Sequence, residues 1–403
     1  MNDLLSRLGM KEISPFFDEC YEKAKAETGC PVWLTEKFLR EAAKEEPYFG
    51  AELEELIAAI EPVKNNPDLL LFARTLYHML VPRVHHEHIF GGLAFPEAPA
   101  GEDTLPYDIF AFYPLFAHIR EAYRELLLRG ADADVLRETA KNVGGSIGAS
   151  RKMLGRFGFT KLYFLWCTTH KNGALFKMGR FSFEVREDAD LGIYAFRNAE
   201  GETAILMASG ASVSQNGLLS ESAGAGEPLF VTQYTEKEDA YVGNLVIDHG
   251  LHVSADVTTL KKTEWAPLYQ PGDTLISVHI PADQPFDRET VAGSLADGKR
   301  FFQMLYPEKN IRAYMCISWL LSPELASVLK PSSNILAFGG LYERFPVVSK
   351  GLDIFHFVFH KTIEEVTEDV IASLPENNSL ERGLKQLYKD GGFLHELGGI
   401  IPF

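Results

Sequence analysis

Residues 274–321, TLISVHIPADQPFDRETVAGSLADGKRFFQMLYPEKNIRAYMCISWLL, decide the fold. In 274–280, Ile276, Val278 and Ile280 alternate with Leu275, Ser277 and His279, the period-two spacing of a strand. Pro281 ends that strand and a polar loop follows. Residues 290–306 space Val291, Leu295, Phe302 and Leu305 at helical intervals, and residues 312–321 return to aromatic and β-branched content. Strand, crossover helix and strand make a βαβ unit, which predicts two adjacent parallel strands with a right-handed connection. Ligands of such units sit beyond the carboxyl ends of the strands. His279 stands near that end of the first strand, and Cys316 and Ser318 near that end of the second.

Working outward, the chain before this stretch changes character once. Ser14-Pro15, Thr35 and Asn66-Pro67 have the chemistry of helix starts, and residues 107–129 and 132–142 read as helices. Residues 1–150 are therefore expected to be a helical domain. After about residue 159, KLYFLW, ALFKMGRFSFEV, GIYAFRN and TAILMAS have the composition of strands, and residues 209–228 read as a long mobile loop. Beyond 345, FPVVSK and DIFHFVFHK are expected strands, then a helix from 379 and a glycine-rich end. The expectation is an α+β protein with a helical domain, 1–150, and a mixed-sheet domain, 151–403.

Composition narrows the function. The formal charge of −17 over 403 residues argues against nucleic acid or an anionic membrane as partner. No apolar run approaches the roughly 20 residues of a membrane helix, and no signal segment is visible. The four cysteines, Cys20, Cys30, Cys167 and Cys316, form no CxxC pair, which predicts a reduced cytoplasmic setting and no structural zinc. His85, His86 and His88 lack the spacing that puts two imidazoles on one helical face, so no metal is expected. Gly144, Gly145 and Gly148 follow a helix rather than a strand, which points to close helix packing instead of a phosphate loop.

The candidate chemistry lies at the strand ends. His279 is the candidate general base, because an imidazole titrates near pH 6.5, against a reading as a hydrogen-bonded strand residue. Ser318, or Cys316, is the candidate proton donor, although a mid-strand cysteine is commonly core. Ser332, Ser333 and Asn334 read as a helix cap that could also hold an anion.

Taken together, FKMGRFSFE (176–184), QPGDTLISVHIP (270–281), YMCISWLLSPEL (314–325), SSNILAF (332–338) and SLERGLKQLYKDGG (379–392) resemble the two-domain GNAT-like N-acyltransferases of Firmicute-type bacteria. The resemblance implies that the two strands splay around the thioester arm of acyl-CoA. Residues 282–290 would form the pyrophosphate loop, with Ala282, Asp287, Arg288, Glu289, Thr290 and Val291 as cofactor contacts beside Ser333 and Asn334. The sequence departs from the family's glycine-rich loop here, carrying Asp283 and Asp287 instead. The expected function is transfer of an acyl group from a thioester, acyl-CoA, to an amine or hydroxyl of a small acceptor, without a metal. The alternative is a non-catalytic ligand-binding or sensor protein that has lost the pyrophosphate loop.

Overall fold

The structure is a computed structural model that describes all residues except 1, 11–14, 84–89, 91–92, 282–285 and 362. It divides into two compact units, one of 1–178 with 182–184, the other of 179–181 with 185–403. The expected boundary at 150 falls inside a continuous helix, Ala133–Leu154.

The first unit is built from helices α1 (Asn2–Arg7), α2 (Pro15–Ala26), α3 (Glu36–Glu45), α4 (Glu52–Ala58), α5 (Ile60–Lys64), α6 (Pro67–Met79), α7 (Leu105–Ile109), α8 (Phe112–Leu128), α9 (Ala133–Leu154) and α10 (Lys161–Lys171). Their starts are written locally. Thr35, Asn66, Asp132 and Thr160 each accept a hydrogen bond from a first-turn N–H that would otherwise lack a partner. The core is aromatic, with Phe17, Phe72, Phe112, Phe116 and Tyr123 buried. The glycine run lies within α9, where a Cβ on Gly144 would come within 2.8 Å of the Tyr48 carbonyl. Close packing therefore accounts for Gly144. KLYFLW is not a strand but the start of α10: Thr160 caps it, and Phe164, Cys167, Thr168 and Lys171 are buried at helical spacing. The fold overrides an aromatic composition that favours strands.

The second unit holds two larger sheets. Strand β1 (Leu175–Met178) falls in the first unit, and β2 (Phe181–Ala189) is divided between the two. One sheet is formed by β3 (Ile193–Asn198), β4 (Thr203–Met207), β7 (Tyr234–Glu236), β8 (Ala240–Ile247), β9 (His252–Lys261) and β10 (Trp265–Tyr269), ordered β10-β3-β4-β8-β7 with β9 also on β8. Residues 209–228 are not an open loop: β5 (Ser212–Ser214) pairs antiparallel with β6 (Pro228–Val231).

The other sheet carries β11 (Asp273–His279), β12 (Ile311–Ser318), β14 (Leu397–Pro402) and β13 (Glu343–Pro346), in that order. β11 and β12 are adjacent and parallel, joined through α11 (Arg288–Leu305), as the βαβ pattern predicts. The glycine-rich tail forms a strand. It is β14, which inserts antiparallel between β12 and β13. Gly398 is required there because Phe345 of β13 lies across it, and a Cβ would sit 2.2 Å from the ring. DIFHFVFHK is helical at Asp353–Phe357, with Ile354, Phe355 and Phe359 in a core shared with Leu384 and Tyr388. Leu275, Ala313, Met315, Phe345 and Ile400 pack with Ile193, Ala195, Ile205 and Met207 of the other sheet. On the opposite side of the β11–β12 sheet, the Tyr314 hydroxyl donates to the Leu295 carbonyl of α11 at 2.7 Å.

Candidate active site

Pairing between β11 and β12 runs from Thr274↔Ile311 to Ser277↔Met315 and stops there. Yet β11 continues to His279 and β12 to Ser318, the latter still paired with β14 through Cys316↔Gly399, Ile317↔Gly398 and Ser318↔Leu397. The two parallel strands therefore part at their carboxyl ends.

Register decides which candidates meet. Residues paired across neighbouring strands point to one side, so Ser277 and Met315 share a face, and His279 and Ile317 continue it. Cys316 and Ser318 belong to the other face, with Tyr314. His279 and Ser318 flank the opening from opposite sides of the sheet rather than sharing one cleft. Val278, beside His279, is buried, and the histidine itself is half-buried.

The other candidates have local duties. Ser318 accepts a hydrogen bond from the Leu320 N–H at 3.1 Å and turns the strand into a single 3₁₀ turn, Trp319–Leu321. Cys316 is 2% exposed, and burial pushes its thiol up to about 12. A thiol so held is neutral and a poor nucleophile.

At the start of α11, the Asp287 carboxylate accepts from the Thr290 N–H at 2.9 Å and from the Thr290 hydroxyl at 2.7 Å. Those bonds, the Thr290 N–H first, hold the carboxyl below its usual range. Asp287 and Thr290 thus form a filled cap. Arg288 and Glu289 are exposed, Val291 is buried, and Ala282 lies outside the described residues. Ser333 caps α13 (Asn334–Gly339; α12 is Leu325–Val328), its hydroxyl accepting from the Ile335 N–H at 3.2 Å, while Asn334 is exposed.

Several side chains at this end of the sheet are not singled out by sequence spacing. Tyr342 lies over Gly399, where a Cβ would meet the tyrosine Cβ at 2.8 Å, and Gly399 is the partner of Cys316. Tyr342 is 5% exposed, and among the described residues its hydroxyl has no hydrogen-bond partner. Burial, then the neighbouring Cys316 and Tyr314, raise its pKa well above the usual value, so it stays a proton donor. Its ring packs on Phe338 at 5.0 Å, Phe338 on Phe286 at 5.0 Å, and both on Phe181. The buried Arg180 lies 5.0 Å over the Phe286 ring and donates to the Pro281 carbonyl, fixing the end of β11. Ser294 of α11 accepts from the Phe181 N–H at 3.2 Å, holding the GRF turn against the helix. The KMGRF string marks the turn, but nothing in its spacing connects it to Tyr342, about 160 residues away along the chain.

A second polar cluster lies just before β14. His395 bonds Glu324 through Nδ1 and the Ala223 carbonyl through Nε2, each at 2.8 Å. With both nitrogens used, it serves to tie the chain together.

Among the described residues no group of three His, Cys, Asp or Glu side chains could hold a metal, and no helix is long and apolar enough to cross a membrane. The His85, His86 and His88 group lies outside them.

An opened parallel strand pair, a crossover helix capped beside the opening and a buried aromatic wall define a GNAT-like domain. The model of the GNAT-like C-terminal domain matches residues 175–401, and that of the N-acyltransferase N-terminal domain matches residues 39–173. The chain belongs to the two-domain N-acyltransferases. No curated protein matches it. Among solved structures, an acyltransferase mutant in complex with octanoyl-CoA is similar over 100% of this chain and 99% of its own, with a TM-score of 0.64 and 17% identity. Acyltransferase structures in complex with decanoyl-CoA and teicoplanin, and with CoA and 10C-teicoplanin, each cover 100% of this chain and 98% of their own, with TM-scores of 0.62 and 17% identity. At that identity the likeness is one of fold.

Proposed function

We propose that the protein moves an acyl group from acyl-CoA directly to an amine or hydroxyl of a small-molecule acceptor. The observation that carries this reading is the parting of β11 from β12 beside a buried tyrosine hydroxyl that has no hydrogen-bond partner among the described residues. A thioester arm lying in the opening takes up the strand edge that β12 no longer offers to β11. The acyl chain runs along Phe181, Phe286 and Phe338. Arg288 and the positive end of the α11 dipole receive the pyrophosphate. The capped, anionic Asp287 confines that contact to the exposed side of the first turn.

The faces of the sheet divide the proton work. The acceptor nitrogen or oxygen attacks the thioester carbonyl carbon and gives its proton to His279 on one side. The carbon–sulfur bond breaks, and Tyr342 on the other side donates its proton to the departing sulfur. A donor fixed before charge develops stabilises that charge without reorganising. The buried, protonated Cys316 argues against an acyl-cysteine intermediate, so transfer is direct. Solved neighbours with octanoyl-CoA, decanoyl-CoA and teicoplanin support an acyl-CoA donor and a small-molecule acceptor.

Thermal melting with CoA, octanoyl-CoA and decanoyl-CoA tests the donor. Ligand at a hundredfold excess over its dissociation constant stabilises the fold by about 2.7 kcal/mol. No shift with any thioester at millimolar concentration overturns the assignment.

A further inference from the structure

The helical unit contains a cavity of about 310 Å³ lined by Tyr77, Val81, Arg83, His118, Glu121 and Lys171, with Leu80. It lies among the end of α6, the turn that follows it, α8 and the last residue of α10. Its volume is at the small end of the range for ligand pockets, about 300–1,000 Å³.

Lys171 is 2% exposed, an uncommon place for an ammonium. Its Nζ donates to the Leu80 carbonyl at 3.1 Å and the Pro82 carbonyl at 2.5 Å. Among the described residues no carboxylate pairs with it. An ammonium has three donors, so among the described residues these two carbonyls leave one over. Burial, reinforced by the Arg83 charge, brings its pKa down to about 7. His118 donates from Nε2 to the Tyr77 carbonyl at 2.9 Å, and burial, with smaller repulsions from Lys171, Arg83 and His78, lowers its pKa to about 4. Three bases thus converge on one cavity, and the Arg83 charge helps to hold down that of Lys171 and of His118. Two carboxylates stand near these bases: Glu121, on the cavity lining and exposed, is 3.9 Å from His118, and Glu125 pairs with the half-exposed Arg83 at 2.6 Å. His78, behind the cavity, pairs with Glu27.

We propose that this cavity binds the oxyanion of a small molecule, a carboxylate or a phosphoryl-type group, between Lys171 and Arg83. An anion there takes the spare donor of Lys171 and restores its charge, since an opposite charge within about 4–6 Å favours the ionised form. Binding above pH 7 is therefore accompanied by proton uptake.

The test is calorimetric titration of the full chain at pH 8 with acetate and with sulfate, neither of which titrates there, in two buffers of different ionisation enthalpy. Saturable binding of one probe is expected, with a buffer-dependent heat that reports proton uptake. Acetate alone identifies a carboxylate site and sulfate alone a tetrahedral one. Lys171→Met should weaken binding at least tenfold and abolish the proton uptake. Should that variant fail to fold, Arg83→Gln, at a half-exposed side chain, should still weaken binding severalfold. Absence of saturable binding by both probes, or affinities unchanged in Arg83→Gln and Lys171→Met, overturns the proposal. None of these residues takes part in the proposed acyl transfer, so the two readings stand or fall separately.

Discussion

Replacing Tyr342 by Phe should make the protein more stable and a worse enzyme. The hydroxyl is buried and has no partner among the described residues, and such a group costs about 1–3 kcal/mol of folding free energy. Phenylalanine keeps the ring, its packing on Phe338 at 5.0 Å and its place over Gly399. Removing the oxygen therefore returns up to that amount, and each kcal/mol raises the melting temperature of a domain of this size by about 2–4 °C. Removing a positioned proton donor lowers the rate by about 100- to 10,000-fold. The loss should appear in kcat with KM for acyl-CoA little changed, because the hydroxyl acts as sulfur charge develops. Calorimetry gives the first number, and release of the CoA thiol gives the second. A Tyr342→Phe protein that melts lower and turns over normally would make the hydroxyl a structural anchor and not a proton donor.

His279→Gln should lower turnover by about 100-fold or more while acyl-CoA binding survives, and Cys316→Ala should leave turnover near normal, because that thiol is buried and protonated; the thiol-release assay separates the two. Gly398→Ala drives a methyl group to 2.2 Å from the Phe345 ring and should destabilise the second unit by about 1–3 kcal/mol, with partial rescue by Phe345→Leu in a denaturation cycle. The helical unit should weaken in acid. His118 has a folded pKa of about 4 against about 6.5 when unfolded, so between those values the unfolded chain binds the extra proton. Stability is thus lost as pH falls from about 6.5 to 4, by about 3 kcal/mol for this ring, and His118→Gln should flatten that slope in circular dichroism melts.

What is local or periodic in this fold was legible along the chain. Alternation in 274–280, helical spacing in 290–306 and the strand content of 312–321 specify a parallel βαβ unit, because one connection hand is strongly preferred. Thr35, Asn66 and Ser333 could be read as caps, since capping involves only the next two or three residues. The close-packing role of Gly144 was legible for a similar reason: the run follows a helix rather than a strand. Tertiary structure decided the rest. KLYFLW and the DIFHF of DIFHFVFHK have strand composition but lie in helices because their neighbours bury a helical face. The glycine-rich tail became a central strand because Phe345 and Tyr342 needed the space that side chains at 398 and 399 would fill. Above all, the register of β11 against β12 set His279 on one face and Cys316 with Ser318 on the other. A shift of one residue would reverse that, and register is fixed by the packed faces of the whole sheet rather than by either strand. Tyr342 came to lie beside Cys316 through the same long-range pairing of β12, β14 and β13, which no local spacing encodes.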